Sequence, residues 1–372
     1  MKIISKHTIL LVTYLSLIAC SSVSKNTHLN AQLLSDNKYV YQKIAKASWP
    51  VLETKHNIFP NEAHKLIPQI RERLIKLADI PSNYDYMKDN FYDNTLKEGV
   101  KQFQKRHGLN SDGVIGSSTL MALNIPPAER LAQITNAQAE WQKLPSNEDM
   151  NDYININLPS YLLNIYKGAE KNLEMKVVVG SKNWPTPLLT SEIKTVVINP
   201  TWNIPRNIAE KEIIHKIADN IDYLKEENIR IIDGWHKGAK QIEPLTVDWQ
   251  SYTGKDDLPF RLVQGAGDDN ALGSIKFTFP NSEHIYLHDT PNKGAFKVSK
   301  RNLSHGCIRL EEPIKLLNYL FENNHLDKEE KINNELASKV KTKHYALKKS
   351  LPIYITHINA WVDKEGLLNF RH

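Results

Sequence analysis

Cys307 and the histidines around it are the residues of this chain best suited to nucleophilic chemistry. Ser304-His305-Gly306-Cys307-Ile308-Arg309 follows Tyr286-Leu287-His288-Asp289-Thr290, with fifteen residues between His288 and Ser304. A thiol is a strong nucleophile only as thiolate, and an imidazole within reach generates that form by taking the proton. His305 stands two residues before the cysteine, and His288 stands at a distance that a hairpin closes. Ser304 and His305 put donors just ahead of the thiol. Gly306 lets the backbone approach a substrate closely. The N–H groups of Gly306 and Cys307 could then point at a developing oxyanion. A buried structural cysteine beside surface histidines would show the same residue types, so these alone leave both readings open.

Other chemistries fit less well. His284 and His288 are four apart, but they sit in a strand pattern. At ~3.3 Å per residue that spacing separates them by ~13 Å, too far to share one ion. No Gly-x-Ser-x-Gly is present for a serine hydrolase. Neither a metal nor a cofactor is expected.

The elements that must position these residues change character along the chain. From Tyr39 to about Ala78 the apolar spacing is helical, with Leu66, Ile70, Leu74 and Leu77 on one face and Pro68 near a start. Leu96, Val100 and Phe103 form a second helical stripe, stopped at Gly108. Asp112-Gly113 is a turn, and Ser117 is a candidate N-cap for a helix carrying Leu120 and Leu123. A further helix is expected over 128–144. From Tyr153 the period becomes two: Ile154, Ile156 and Leu158, then Leu163 and Ile165, Val177 to Val179, Thr195 to Ile198, Ile275 to Phe279 and Ile285 to His288. A helical interlude, Ile208 to Lys225, interrupts the strands. Pro313 to Phe321 reads as a helix, and Leu351–Ile358 with Ala360–Asp363 as a closing strand pair. This implies an α+β multidomain chain with a β-rich catalytic part.

Composition narrows the partners. The 372 residues are 24% charged and 41% hydrophobic, which excludes a disordered, collagen-like or coiled-coil chain. The net charge of +6 comes without a long basic block, so nucleic acid is not an expected partner. Lys2 and Lys6 precede a mostly apolar run from Thr8 to Ala19, too short to span a bilayer and suited to an export signal. The run ends in Leu17-Ile18-Ala19-Cys20, which resembles a bacterial lipobox. That resemblance implies cleavage before Cys20 and lipidation of its sulfur. Ser21 in place of Asp then implies outer-membrane sorting of a periplasmic protein. With Cys20 lipidated, Cys307 is a lone thiol in an oxidising compartment, either inert and buried or kept for reactivity.

Two further resemblances supply a family. Val100, Phe103, His107-Gly108-Leu109, Asp112-Gly113-Val114-Ile115-Gly116 and Thr119 to Asn124 together resemble a small three-helix peptidoglycan-binding module. The His288…Ser304-His305-Gly306-Cys307 set resembles the active-site signature of L,D-transpeptidases, the YkuD-type cysteine enzymes of peptidoglycan. Arg309 stands where the signature often has Asn, as in the large periplasmic subfamily. Gly180, Pro185-Thr186-Pro187, Asn199-Pro200, Trp202-Asn203, Asn270-Ala271-Leu272-Gly273, Lys276-Phe277 and Ala360-Trp361-Val362-Asp363 follow the same subfamily in order.

The resemblance implies a β-sandwich-like catalytic domain at 153–331 with a capping insertion near 208–270. Around it stand a signal peptide (1–19), a tether (20–37), an N-terminal helical scaffold (38–87), the binding module (88–127), a helical linker (128–152) and C-terminal strands (332–372). Cys307 would be the nucleophile. His288 would be the general base, oriented by a neighbour such as the Asp289 carbonyl. His305 would assist near the thiol or oxyanion, with Gly306 as an oxyanion backbone donor and Ser304 beside it. Arg309, Asp289 and Asn270 would bind substrate. Trp235, Trp249 and Tyr252 would line the cap, and Lys97, Lys101, Lys105, Arg106 and His107 would face stem carboxylates. The implied reaction is 3→3 cross-linking of tetrapeptide stems. Carboxypeptidase, lipoprotein-ligase or amidase chemistry on the same acyl-enzyme, a non-catalytic wall tether, and contacts with cell-wall synthesis proteins remain open alternatives.

Overall fold

The structure, a computed structural model, describes residues 28–82, 89–146, 151–167, 170–236, 238–326, 329–363 and 365–371. Cys20 and the leader lie outside the described residues. Among the described residues no helix is long and apolar enough to cross a membrane.

Three helix groups precede the sheet. Helix α1 (Leu29–Ile44) starts where the His28 side chain accepts the Asn30 N–H. It buries Ala31, Leu34 and Tyr41, so the expected tether is already helical from Leu29. The predicted continuous helical stretch from Tyr39 to Ala78 is interrupted instead. Residues after α1 run irregularly through Pro50 and Pro60, and Ile58 bridges Ile115 in antiparallel fashion. Helix α2 (Ile67–Lys76), α3 (Asn94–Arg106) and α4 (Ser117–Asn124) share one core with Leu52 and Ile58. The binding module therefore extends well before residue 88, because α3 and α4 cannot cover their apolar faces alone. Helix α5 (Pro127–Trp141) packs against α1 and the C-terminal hairpin.

The catalytic part is one continuous sheet. Its strands are β1 (Asp152–Asn157), β2 (Leu162–Lys167), β3 (Glu170–Gly180), β4 (Leu189–Ile198), β9 (Ile275–Thr278), β10 (Leu287–His288), β11 (Asn302–Ser304), β12 (Ile308–Leu310) and β13 (Lys343–Thr356). Their order is β11-β3-β12-β10-β9-β4-β13-β1-β2, and β2 also pairs with β3. The ladder thus closes on itself, and where two stacked sheets are expected the hydrogen bonding runs round without a break. Ile154, Ile156, Ile165, Val177, Phe277, Leu287, Ile308 and Ile353 fill the interior, with Leu316, Leu317 and Leu320 of the helix Pro313–Asn323 against them.

Strand β13 lies between β4 and β1, so the catalytic unit does not end at 331. Only the hairpin of β14 (Ala360–Val362) and β15 (Leu368–Phe370) leaves the sheet to pack on α1 and α5. The capping insertion begins earlier than 208. Strands β5 (Trp202–Asn203), β6 (Ile229–Asp233), β7 (Gln241–Ile242) and β8 (Phe260–Gln264) form their own sheet, ordered β5-β8-β6-β7, over a separate apolar core.

A buried ion pair inside the module, Arg106 with Asp79, also ties the module to α1 and the C-terminal hairpin. Arg106 donates to both Asp79 carboxylate oxygens at 2.6 Å, and it also reaches Tyr41 of α1. Arg371 donates to the Arg106 carbonyl at 3.1 Å. Arg106 and His107 are therefore structural, not wall-facing: His107 Nδ1–H donates to the Phe103 carbonyl at 2.8 Å and the ring stacks on Phe103. Lys101 is paired with Glu98.

Candidate active site

The strand period places the chemistry. Leu287 of β10 pairs in parallel with Ile308 of β12, and His288 with Arg309. On the other side His288 faces Lys276 of β9. Leu287, Ile308, Leu310 and Phe277 are fully buried in the core. Alternation then sends Lys276, Tyr286, His288, Cys307 and Arg309 to the opposite face. A one-residue slip of β12 would expose Ile308 and Leu310, each worth about 1.5–3 kcal/mol of burial, and drive Cys307 and Arg309 inward. Core burial therefore fixes the register of the thiol.

That face opens into a cleft of about 240 Å³ roofed by the capping insertion. Cys307, His288, Tyr286, Arg309, Ser304 and His305 line its floor, and Trp202, Ile208, Glu212, Ile213 and Tyr223 line its roof. The aromatic residues expected for the cap are elsewhere. Trp249 is buried in the cap's own core, Tyr252 packs against that core, and Trp235 is exposed with Arg206 over its ring.

His288 is almost wholly buried, and its Nδ1 lies 2.5 Å from the Asp289 carbonyl oxygen. A carbonyl only accepts, so Nδ1 carries the proton and Nε2 is left as the base. Burial, aided by the Arg309 charge, lowers the imidazole to about 3. Burial pushes the Cys307 thiol up, although Tyr286, Lys276 and Arg309 pull it down. Both shifts favour a neutral thiol–imidazole pair at rest. Burial and the neighbouring Cys307 push the Tyr286 hydroxyl well above its usual range, and Lys276 Nζ sits 3.7 Å from the Tyr286 ring centroid. Burial lowers the Lys276 and Arg309 pKa values, with Cys307 opposing in both cases.

The loop before the cysteine is tied internally. Ser304 Oγ donates to the Cys307 carbonyl at 2.6 Å and accepts the Gly306 N–H at 3.2 Å. The Gly306 amide is thereby engaged, which corrects its expected oxyanion role. Gly306 has φ of 109°, a left-handed conformation that suits glycine. Its carbonyl accepts from Thr186 Oγ1 at 2.7 Å, and the same oxygen accepts the Gly180 N–H at 2.8 Å. A Cβ on Gly180 would meet the Trp184 carbonyl oxygen at 2.2 Å, so only glycine admits this crossing.

Three expected site residues take other roles. His305 Nε2–H donates to Glu212 of the cap at 2.5 Å, away from the thiol. Asp289 accepts from the Ser274 amide and hydroxyl at 3.0 and 2.9 Å and from Lys293 at 2.7 Å. Burial alone would raise its carboxyl, but these bonds hold it below the usual range. It braces the Asn270–Ser274 loop, so it is not a substrate ligand. Asn270 is buried and spends its amide on the Pro200 and Gly265 carbonyls and the Leu272 N–H, pinning the return from the cap. Arg309 fits the substrate role better. Its Nε is buried and finds no hydrogen-bond partner among the described residues.

Sequence reasoning assigned no role to Tyr286, Lys276, Thr186 or Glu212. Tyr286 and His288 are two apart in a strand, which already puts them on one face. Glu212 is 93 residues from its partner and carries no local signal.

Residues 151–326 match the family model described as the YkuD L,D-transpeptidase catalytic domain. The chain carries a YkuD-type L,D-transpeptidase catalytic domain. Residues 64–123 match the model described as "Putative peptidoglycan binding domain", consistent with the early start of that module's core. A Haemophilus influenzae protein named "Putative L,D-transpeptidase" is 34% identical over 244 residues, covering 65% of this chain and 48% of that protein. The chain thus spans about half the length of the curated relative it matches. Among solved structures, an L,D-transpeptidase from Mycobacterium smegmatis is 12% identical, with a TM-score of 0.26 over 55% of this chain and 58% of its own. One from Stackebrandtia nassauensis is also 12% identical, with a TM-score of 0.29 over 84% and 98%.

Proposed function

We propose that this protein is a cysteine-dependent peptidoglycan L,D-transpeptidase that forms 3→3 cross-links. The observation that carries the reading is the juxtaposition of Cys307 with a His288 whose Nε2 is the free base, in a cleft of the matching domain. Cys307 Sγ attacks the L-centre carbonyl of the third residue of a tetrapeptide stem as His288 Nε2 takes the thiol proton. The C–N bond to the terminal D-Ala breaks, and D-Ala leaves with the proton from His288. A thioester remains. The amine of a neighbouring stem attacks it, its proton passes to His288, and the thiol is restored as the new amide forms. Tyr286 and the Cys307 N–H face the developing oxyanion, and the unpaired Arg309 Nε takes an acceptor oxygen of the stem.

The leader and Cys20 support export, lipidation and attachment to the outer membrane with the domain facing the periplasm. The test of the reaction is incubation of the purified protein with tetrapeptide muropeptides, followed by mass spectrometry. The proposal expects a dimer lighter by one D-Ala and free D-Ala. Loss of D-Ala without dimer would mean water is the acceptor. No product with wild-type protein, or unchanged product with Cys307→Ala, overturns the reading.

A further inference from the structure

A groove of about 660 Å³ runs between the binding module and the catalytic part, and it shares no lining residue with the Cys307 cleft. One wall is Asn57, Asn110, Ser117 and Ser118 of the module. The other is the segment Lys297 to Lys300, which leads into β11 and ends seven residues before Cys307. The floor is rigid. Gln104 donates to Asp112, the Val114 carbonyl and Thr119, and accepts the Gly113 N–H.

The charge of the groove comes from the catalytic side. Asp112 is spent on Gln104, Asn110 and the Val114 N–H. Lys297 and Lys300 join none of the ion pairs found among the described residues. Two free ammonium groups therefore stand above a lining of amides and hydroxyls, with Leu109 and Val298 as apolar contacts. The helix-α3 residues Arg106 and His107 do not contribute, because both are buried in the junction. Such a lining suits a hydroxyl- and amide-rich polymer bearing carboxylates. It suits neither an apolar ligand nor a polycation.

We propose that this interdomain groove binds a glycan strand of peptidoglycan, with polymer carboxylates at Lys297 and Lys300, while a stem peptide occupies the Cys307 cleft. The proposal rests on the reaction assigned above and adds a second polymer site built jointly by the two parts. Seven residues span at most about 25 Å, so strand and stem would be held within reach of one another. The module would then orient the polymer as well as concentrate the enzyme on it.

The test measures retention on purified sacculi in a Cys307→Ala background, which removes covalent capture. The double variant Lys297→Glu/Lys300→Glu should bind at least about tenfold more weakly in low salt, with the difference shrinking as salt is raised. Lys348→Glu/Lys349→Glu, a matched charge reversal on β13 away from the groove, should bind as the parent does. Ser118→Trp, which fills the groove from the module wall, should also weaken binding, and thermal melts establish that each variant is folded. Peptide-bearing glycan strands should compete far more strongly than free stem peptides, which carry the carboxylates without the glycan. Parental retention by both groove variants, or an equal loss in the β13 control, overturns the proposal. Competition by stem peptide alone overturns the assigned occupant. Failure of the reaction itself would show separately, as absence of muropeptide products from the wild-type protein.

Discussion

Thr186→Val probes how the Cys307 loop is held. Valine keeps the shape of threonine but removes the one oxygen that joins Gly180 to Gly306. The bonds lost are Gly180 N–H to Oγ1 at 2.8 Å and Oγ1–H to the Gly306 carbonyl at 2.7 Å. Both partners are buried, and each orphaned buried group costs about 1–3 kcal/mol. Allowing for relaxation of the loop, the expected destabilisation is about 2–4 kcal/mol. That corresponds to a fall of roughly 5–10 °C in the catalytic-domain melting transition. The carbonyl released lies one residue before Cys307, so on the proposed reaction the thiol should also lose its aim. Acylation by a carbapenem, followed by mass spectrometry as adduct against time, should slow at least about tenfold, equivalent to about 1.4 kcal/mol of barrier. Thr186→Ser keeps the oxygen and loses one methyl, so it should keep most of the rate at a cost of about 1 kcal/mol. If the valine variant melts and acylates like the parent while serine does no better, the loop is not organised by this oxygen.

Four further outcomes are expected. Cys307→Ala should abolish carbapenem adduct formation and leave the melting temperature within a few degrees, because the side chain is only partly buried. His288→Ala should slow acylation about 10²–10⁴-fold, and a loss confined to stability would make the histidine structural. Acid should destabilise the fold: burial lowers His28 to about 4 and His288 to about 3, so the unfolded chain, titrating near 6.5, binds more protons in between. Stability present above pH ~6.5 should fall by a few kcal/mol toward pH ~4, measured by denaturant titration, and a flat profile would contradict the buried neutral imidazoles. Cys20→Ala should move the protein from the membrane fraction to the soluble periplasm, and continued membrane association would refute lipid anchoring at that residue.

Much of the site was legible because strands have period two. The alternation around Leu287 and Ile308 already separates a core face from a face that carries His288, Cys307 and Arg309, and burial of the apolar set enforces it. The passage from helical to β-rich segments was readable for a similar reason, since the apolar period falls to two at Tyr153, whereas the module was identified by its resemblance to a known family. The helical stripe of Leu96, Val100 and Phe103 and the Gly108 stop both appear where the spacing puts them.

What only the tertiary structure decided are the pairings between distant segments and the fate of individual polar residues. Composition cannot tell a wall-facing Arg106 from one buried on Asp79, because the difference lies in whether a carboxylate 27 residues away is brought inside with it. His305 reads as a partner for the adjacent thiol until the cap supplies Glu212, and Asp289 and Asn270 read as substrate ligands until their oxygens and amides are found spent on loops. The groove cations, Lys297 and Lys300, lie far from the module in sequence and meet it only through folding. Local periodicity is written in neighbouring residues. Which buried charge finds which partner is set by closure of long loops, and that information exists only in the packed chain.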